Sequence, residues 1–166
     1  MQSTRSNVSY FRNFIFGVED SLVSTVGLLS GIAIAGVARD ALLVTGTVLI
    51  CVEAISMAAG SFLSESSAET WEEHSDKISW EPYVASFVMF ASYFVSGFIP
   101  LFPYIVFEES FAFWTSIGAS LGALVVLGFS GGRISRTSVS KSILRMLVVG
   151  GAAIAVGVAV GRVFGL

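Results

Sequence analysis

The stretch Ala41-Leu-Leu-Val-Thr-Gly-Thr-Val-Leu-Ile-Cys-Val-Glu-Ala-Ile-Ser-Met-Ala-Ala-Gly-Ser-Phe-Leu63 runs for 23 residues with a single charge, Glu53. A helix rises about 1.5 Å per residue, so roughly 20 apolar residues cross a hydrocarbon core of about 30 Å. The stretch therefore reads as a membrane-spanning helix with a carboxylate near its middle. Burying that charge costs several kcal/mol (about 2.5–3.5 by insertion scales), so Glu53 asks for a functional or structural reason.

Working outward, four further apolar runs of spanning length appear: Phe14–Val37, Tyr83–Phe107, Phe111–Phe129 and Ile143–Phe164. The expected fold is an all-α integral membrane protein with five transmembrane helices, forming a single domain over residues 1–166. Composition agrees. Hydrophobic residues make up 54% of the 166 and charged residues 13%, about half the share of a soluble domain. The first run is too long for the apolar region of a cleaved signal and lacks a small-residue cleavage site. One cysteine, Cys51, excludes an internal disulfide framework and a cysteine-rich metal cluster.

The polar breaks organise the spans. Arg39-Asp40 makes a very short turn, so the first two helices should form an antiparallel hairpin. Residues 64–82 form a short acidic loop, Glu108-Glu109 a second tight turn, and residues 130–142 a basic loop. Pro100 and Pro103 should kink the third helix or end its regular part early. Five spans put the two chain ends on opposite sides. With the N-terminus cytosolic, the inside segments hold Arg5, Arg12, Lys77, Arg133, Arg136, Lys141 and Arg145, against Arg39 and Arg162 outside. The positive-inside rule thus makes both loops and the N-terminus cytosolic and leaves the C-terminus on the far side. Three glycine pairs at small-xxx-small spacing, Gly27/Gly31, Gly118/Gly122 and Gly157/Gly161, mark faces where helix backbones approach closely.

Three acids fall inside spans: Glu19, Asp20 and Glu53. Asp20 is nearer the cytosolic end, where a helix N-terminus also favours a negative charge, and Glu19 faces elsewhere. In the hairpin, residues at equal depth sum to about 77, which sets Asp20 level with Met57 and Glu53 level with Ser24. Helical spacing gathers Asp20, Ser24, Gly27 and Gly31 on one stripe, and Glu53, Ser56, Met57, Gly60, Ser61 and Glu65 on another. Carboxylates, hydroxyls and a thioether at neighbouring depths suit a divalent transition metal, the thioether shifting preference from hard to softer cations. Met57 alone would read as gap-filling. Beyond the second span Glu65, Glu69, Glu72 or Glu73, and Asp76 keep helical spacing. They are either a solvated acidic face or an antenna that concentrates cations at the pore mouth. His74, the single histidine, stands at no ligand spacing. No phosphate loop, nucleophile–base pair or dinucleotide fingerprint is present, so the chain is not expected to be an enzyme. Nucleic acid is not expected as a partner, the basic loop being short and beside a membrane.

The segments Phe16-Gly-Val-Glu-Asp-Ser-Leu-Val-Ser-Thr-Val-Gly-Leu28 and Glu53-Ala-Ile-Ser-Met-Ala-Ala-Gly-Ser-Phe-Leu63 resemble the first two helices of the vacuolar iron transporter family. Gly97-Phe-Ile-Pro-Leu-Phe-Pro-Tyr104 is similar to that family's third helix, and Gly150-Gly-Ala-Ala-Ile-Ala-Val-Gly-Val-Ala-Val-Gly161 to its fifth. The resemblance implies a homodimer with the translocation path at the dimer interface. It also implies export of ferrous or manganous ions from the cytosol in exchange for protons, the metal being cargo and no prosthetic group being needed. By motif, Asp20 matches the first-helix aspartate on the metal path and Met57 the second-helix methionine. Two departures stand out. The larger cytosolic metal-binding domain of typical members is reduced here to the short acidic loop. The second-helix glutamate, usually about a turn further from the methionine where this chain has Leu49, is replaced by Glu53.

The leading expectation is a dimeric iron or manganese transporter in a plasma or vacuole-like membrane. Asp20, Glu53 and Met57 would line the path, with Glu65, Glu69 and Glu73 at the cytosolic mouth. Protonation of Glu53 near the midplane would couple metal release to proton return. The competing expectation is a non-transporting metal sensor or assembly partner that recruits through its acidic loop.

Overall fold

Once the apolar runs enter lipid, every backbone polar group in them has to be satisfied internally, and a helix does this within each segment. In a computed structural model, which describes residues 2–74 and 77–165 (the side chains of residues 2–5, Glu73 and Glu109 excepted), the runs form five helices. They are α1 Gln2–Ile34, α2 Arg39–Glu73, α3 Glu81–Val106, α4 Glu109–Ile134 and α5 Val139–Phe164. All five are long and apolar enough to cross a membrane, and no strand occurs among the described residues.

The helices outrun the apolar stretches. α2 has 35 residues, about 52 Å of helix, so roughly 15 Å of it continues beyond Leu63. The acidic spacing at 65, 69 and 72 is helical because it lies on this extension. The connections shrink accordingly, to 74–80 between α2 and α3 and 135–138 between α4 and α5. The α1–α2 turn closes on a Schellman motif. Gly36 sits at φ 75°, its N–H donating to Ala33 O at 3.2 Å, and Val37 N–H donates to Ile32 O at 3.4 Å.

α1 is the hub and touches the other four helices. Its bond to α5 is made by two of the glycine pairs, which interlock. A Cβ on Gly31 would fall 2.7 Å from Gly157 O, and one on Gly27 3.1 Å from Ala153 O. The third pair, Gly118 and Gly122, has nothing within 4 Å of an added Cβ among the described residues.

The packing refines two sequence expectations. The α1–α2 hairpin exists, but α2 rests mainly on α3 and touches α1 only lightly. Pro100 and Pro103 do not end α3 early, since the helix runs on to Val106 and Phe107 N–H still donates to Pro103 O at 2.9 Å. Arg39, starting α2, finishes α3 from outside. Its Nε donates to Tyr104 O at 2.8 Å and its Nη2 to Ile105 O at 2.6 Å, carbonyls that a helix end leaves without partners.

Candidate functional site

α3 wedges between α1 and α2, and its Tyr93 stands where those helices carry their acids. Gly97, one turn on, makes the wedge possible: a Cβ there would meet Ile50 of α2 at 2.7 Å and the Ser21 hydroxyl of α1 at 2.9 Å. Tyr93 is fully buried, its carbonyl accepts from Ser21 Oγ at 2.7 Å, and its hydroxyl shares a hydrogen bond of 2.8 Å with Ser24 Oγ. Asp20 and Glu53 lie within electrostatic range of each other and of that phenol. Four polar groups from three helices (Asp20, Ser24, Glu53 and Tyr93) thus gather inside the span. Ser24 and Glu53 were expected at one depth, and Tyr93 joins them.

Asp20 and Glu53 are half-buried, and among the described residues neither accepts a hydrogen bond nor forms an ion pair. Met57 is half-buried one turn from Glu53 toward the α2 extension. Glu19 turns the other way, into range of Arg145 on α5. Beside the cluster an open groove of about 710 Å³ runs along α1 and α5, lined by Ser24, Gly27, Leu49, Ala153 and Val156 among others. α2 adds an apolar face left bare by the described residues: Val48, Val52, Ile55 and Leu63 are more than half exposed. Among the described residues no three histidine, cysteine, aspartate or glutamate side chains of one chain converge to hold a metal.

The mouth is built differently. A cavity of about 370 Å³ opens between the start of α1, the α2 extension and the start of α3, lined by Arg12, Glu65, Glu69, Glu72 and Glu81 among others. One carboxylate oxygen of Glu65 takes three donors: Arg12 pairs with Oε1, Ser9 Oγ donates to it at 2.6 Å and Asn13 Nδ2 at 3.2 Å. Asn13 is itself buried and accepts from Ser61 Oγ at 2.8 Å. Both carboxylate oxygens of Glu69 take the Ser79 N–H, at 3.1 and 3.2 Å, and Ser6 donates to Glu81. The side chain of Glu73 and the whole of Asp76 lie outside the described residues. His74 caps α2 at φ 50°, with a ring nitrogen 3.4 Å from Glu72 O.

The residues missed from sequence are Tyr93 and Asn13. A tyrosine one turn before a glycine in an apolar span, beside Ser92 and Ser96, was the available signal for the first. Asn13 carried none beyond being an amide at the edge of a span.

Five apolar helices with carboxylates inside the bilayer define a polytopic membrane protein with a polar site at the meeting of its first three helices. The chain belongs to the VIT family, whose model matches residues 11–81 and 68–162. The two segments overlap at 68–81, the end of α2 and the loop after it. No curated protein matches the chain significantly. Membership points to metal-ion transport across a membrane rather than to enzyme chemistry.

Proposed function

We propose that the protein is a homodimeric divalent-metal transporter that moves ferrous or manganous ions out of the cytosol in exchange for protons. The observation that carries this reading is the pair Asp20 and Glu53, carboxylates on two helices inside the span with no hydrogen-bond or ion-pair partner among the described residues. Such a charge is costly unless a cation or a proton neutralises it. A site that alternates between the two is an exchanger: metal on the carboxylates in one half-cycle, protons in the other. Met57 would add a soft ligand on the cytosolic side of Glu53.

The described residues of one chain supply too few converging ligands for a metal, and two chains would supply enough. The groove beside Ser24 and the bare face of α2 would come together about a two-fold axis, placing a second Asp20, Glu53 and Met57 opposite the first. The excess of Lys and Arg at the mouth end supports a cytosolic location for that end.

Purified protein in proteoliposomes, given a panel of divalent ions with and without a pH gradient, tests the proposal. A cysteine placed at position 70 in a Cys51→Ala background reports which way each molecule faces. Uptake of iron or manganese that accelerates with an opposing proton gradient is expected. Absence of flux for every divalent ion would refute it.

A further inference from the structure

We infer that Tyr93 is a positioning residue for the site inside the span: its phenol holds the Ser24 hydroxyl ready as a hard oxygen ligand beside Asp20, and so biases the site toward harder divalent ions. The inference rests on the transport reading for its cation and deepens it by naming what sets the preference.

Ser24 differs from other hydroxyls in the spans. Ser92, Ser96, Thr115 and Ser120 each donate to a carbonyl three or four residues back in their own helix, at 2.6–3.0 Å. That local bond is the ordinary habit of serine and threonine in a helix. The corresponding contact of Ser24, to Ser21 O, is stretched to 3.4 Å, while its oxygen lies 2.8 Å from the Tyr93 hydroxyl on another helix. The direction of the shorter bond follows from counting protons. If Ser24 donated to Tyr93, the buried phenol proton would have no acceptor among the described residues, a costly loss. If Tyr93 donates, the Ser24 proton still has Ser21 O. A hydroxyl oxygen accepts twice, so Ser24 Oγ then keeps one acceptor position uncommitted among the described residues.

The phenol is a fixed donor. Tyr93 is fully buried, its carbonyl is tied to α1 by Ser21 Oγ at 2.7 Å, and Gly97 one turn on lets α3 seat closely. Ser24 is half-buried and lines the open groove, so Tyr93 stands behind it and acts through it. Along α1, Ser24 is one turn from Asp20, about 6 Å of helix rise, and Asp20 and Glu53 both lie within electrostatic range of the phenol. A neutral oxygen added to carboxylates favours hard cations, against the pull of the Met57 thioether toward soft ones.

The test uses full-length protein in lipid nanodiscs with Mn2+ as the harder probe, its free aquo-ion counted by electron paramagnetic resonance. Cd2+, equal in charge and similar in size but softer, is the competitor. Only binding lost in the Asp20→Asn, Glu53→Gln double variant is scored. Tyr93→Phe keeps the ring and removes the hydroxyl. It should raise half-saturating Mn2+ about two- to ten-fold, the range for one hydrogen bond, and leave Cd2+ within about two-fold. Ser24→Ala should do the same, and Tyr93→Phe should add nothing to it. Equal weakening of both ions, an unchanged Mn2+ value, or a full Tyr93→Phe effect in the Ser24→Ala background would overturn the inference and make Tyr93 a packing residue. If Tyr93→Phe did not fold, Ser24→Ala alone would decide by its Mn2+ to Cd2+ ratio. A wild type that bound neither ion at the scored site would remove the transport reading and this inference together. One that showed the expected pattern yet moved no metal would count against transport alone.

Discussion

The acids inside the membrane sit on α1 and α2 and the acids at its mouth on α2 and α3, and the fold treats the two sets oppositely. Glu65, Glu69 and Glu81 are met by arginine, serine and asparagine side chains or by a backbone N–H. Asp20 and Glu53, where lipid makes an unmet charge far more costly, accept nothing among the described residues. A structural acid earns its place by its protein partners. An acid left without them where water is scarce is kept for something that comes and goes. The contrast shifts weight inside the expected metal set: Asp20, Glu53 and Met57 form the proposed path, while Glu65 and Glu69 hold the mouth together.

Substitutions can break this contrast, and the largest effect belongs inside the span. Asp20→Asn should cut metal flux about ten-fold, the loss of roughly 1.4 kcal/mol of ion interaction. Its thermal stability should hold or rise, because a neutral amide is cheaper in lipid than a carboxylate. A destabilised Asp20→Asn would show that Asp20 is a structural acid after all. At the mouth the signs reverse. Glu65→Ala should cost about 1–3 kcal/mol in a detergent melt, because buried Asn13 loses an acceptor, whereas the exposed ion pair contributes less than about 1 kcal/mol. Glu69→Gln should be milder, about 0.5–1.5 kcal/mol or less, and local. Faster hydrogen exchange at the Ser79 amide, with the maximal transport rate retained, is the expected signature. A collapse of the maximal rate would move Glu69 from the loop into the path.

How much of this was legible in the residues follows from the range of each interaction. The five helices could be read because apolar length is a local property, and so was the helical run of acids beyond Leu63. The antiparallel course of α1 and α2 followed from the short polar break at Arg39-Asp40. What could not be read is which helix fills the space between α1 and α2. That depends on Gly97 letting α3 approach Ile50 and Ser21, a contact between residues far apart in the chain. Tyr93 enters the site for the same reason. The three glycine pairs looked alike in sequence, yet two interlock between α1 and α5 and the third faces outward, since spacing defines a face and not its partner. Of the two effects expected of Pro100 and Pro103, an early end of α3 does not occur, because each proline removes one N–H and crowds one carbonyl while burial among other helices holds α3 together through both.

The central claim is that Glu53 carries metal and proton in turn, and simultaneous recording of both fluxes from Glu53→Gln in proteoliposomes tests it most directly. The variant keeps the shape and loses the charge, so it should insert and assemble as the wild type does. Metal-driven proton movement should disappear, and the pH dependence of any residual metal flux should flatten, whereas Asp20→Asn should retain that dependence. Wild-type coupling between metal and proton in Glu53→Gln would contradict the account.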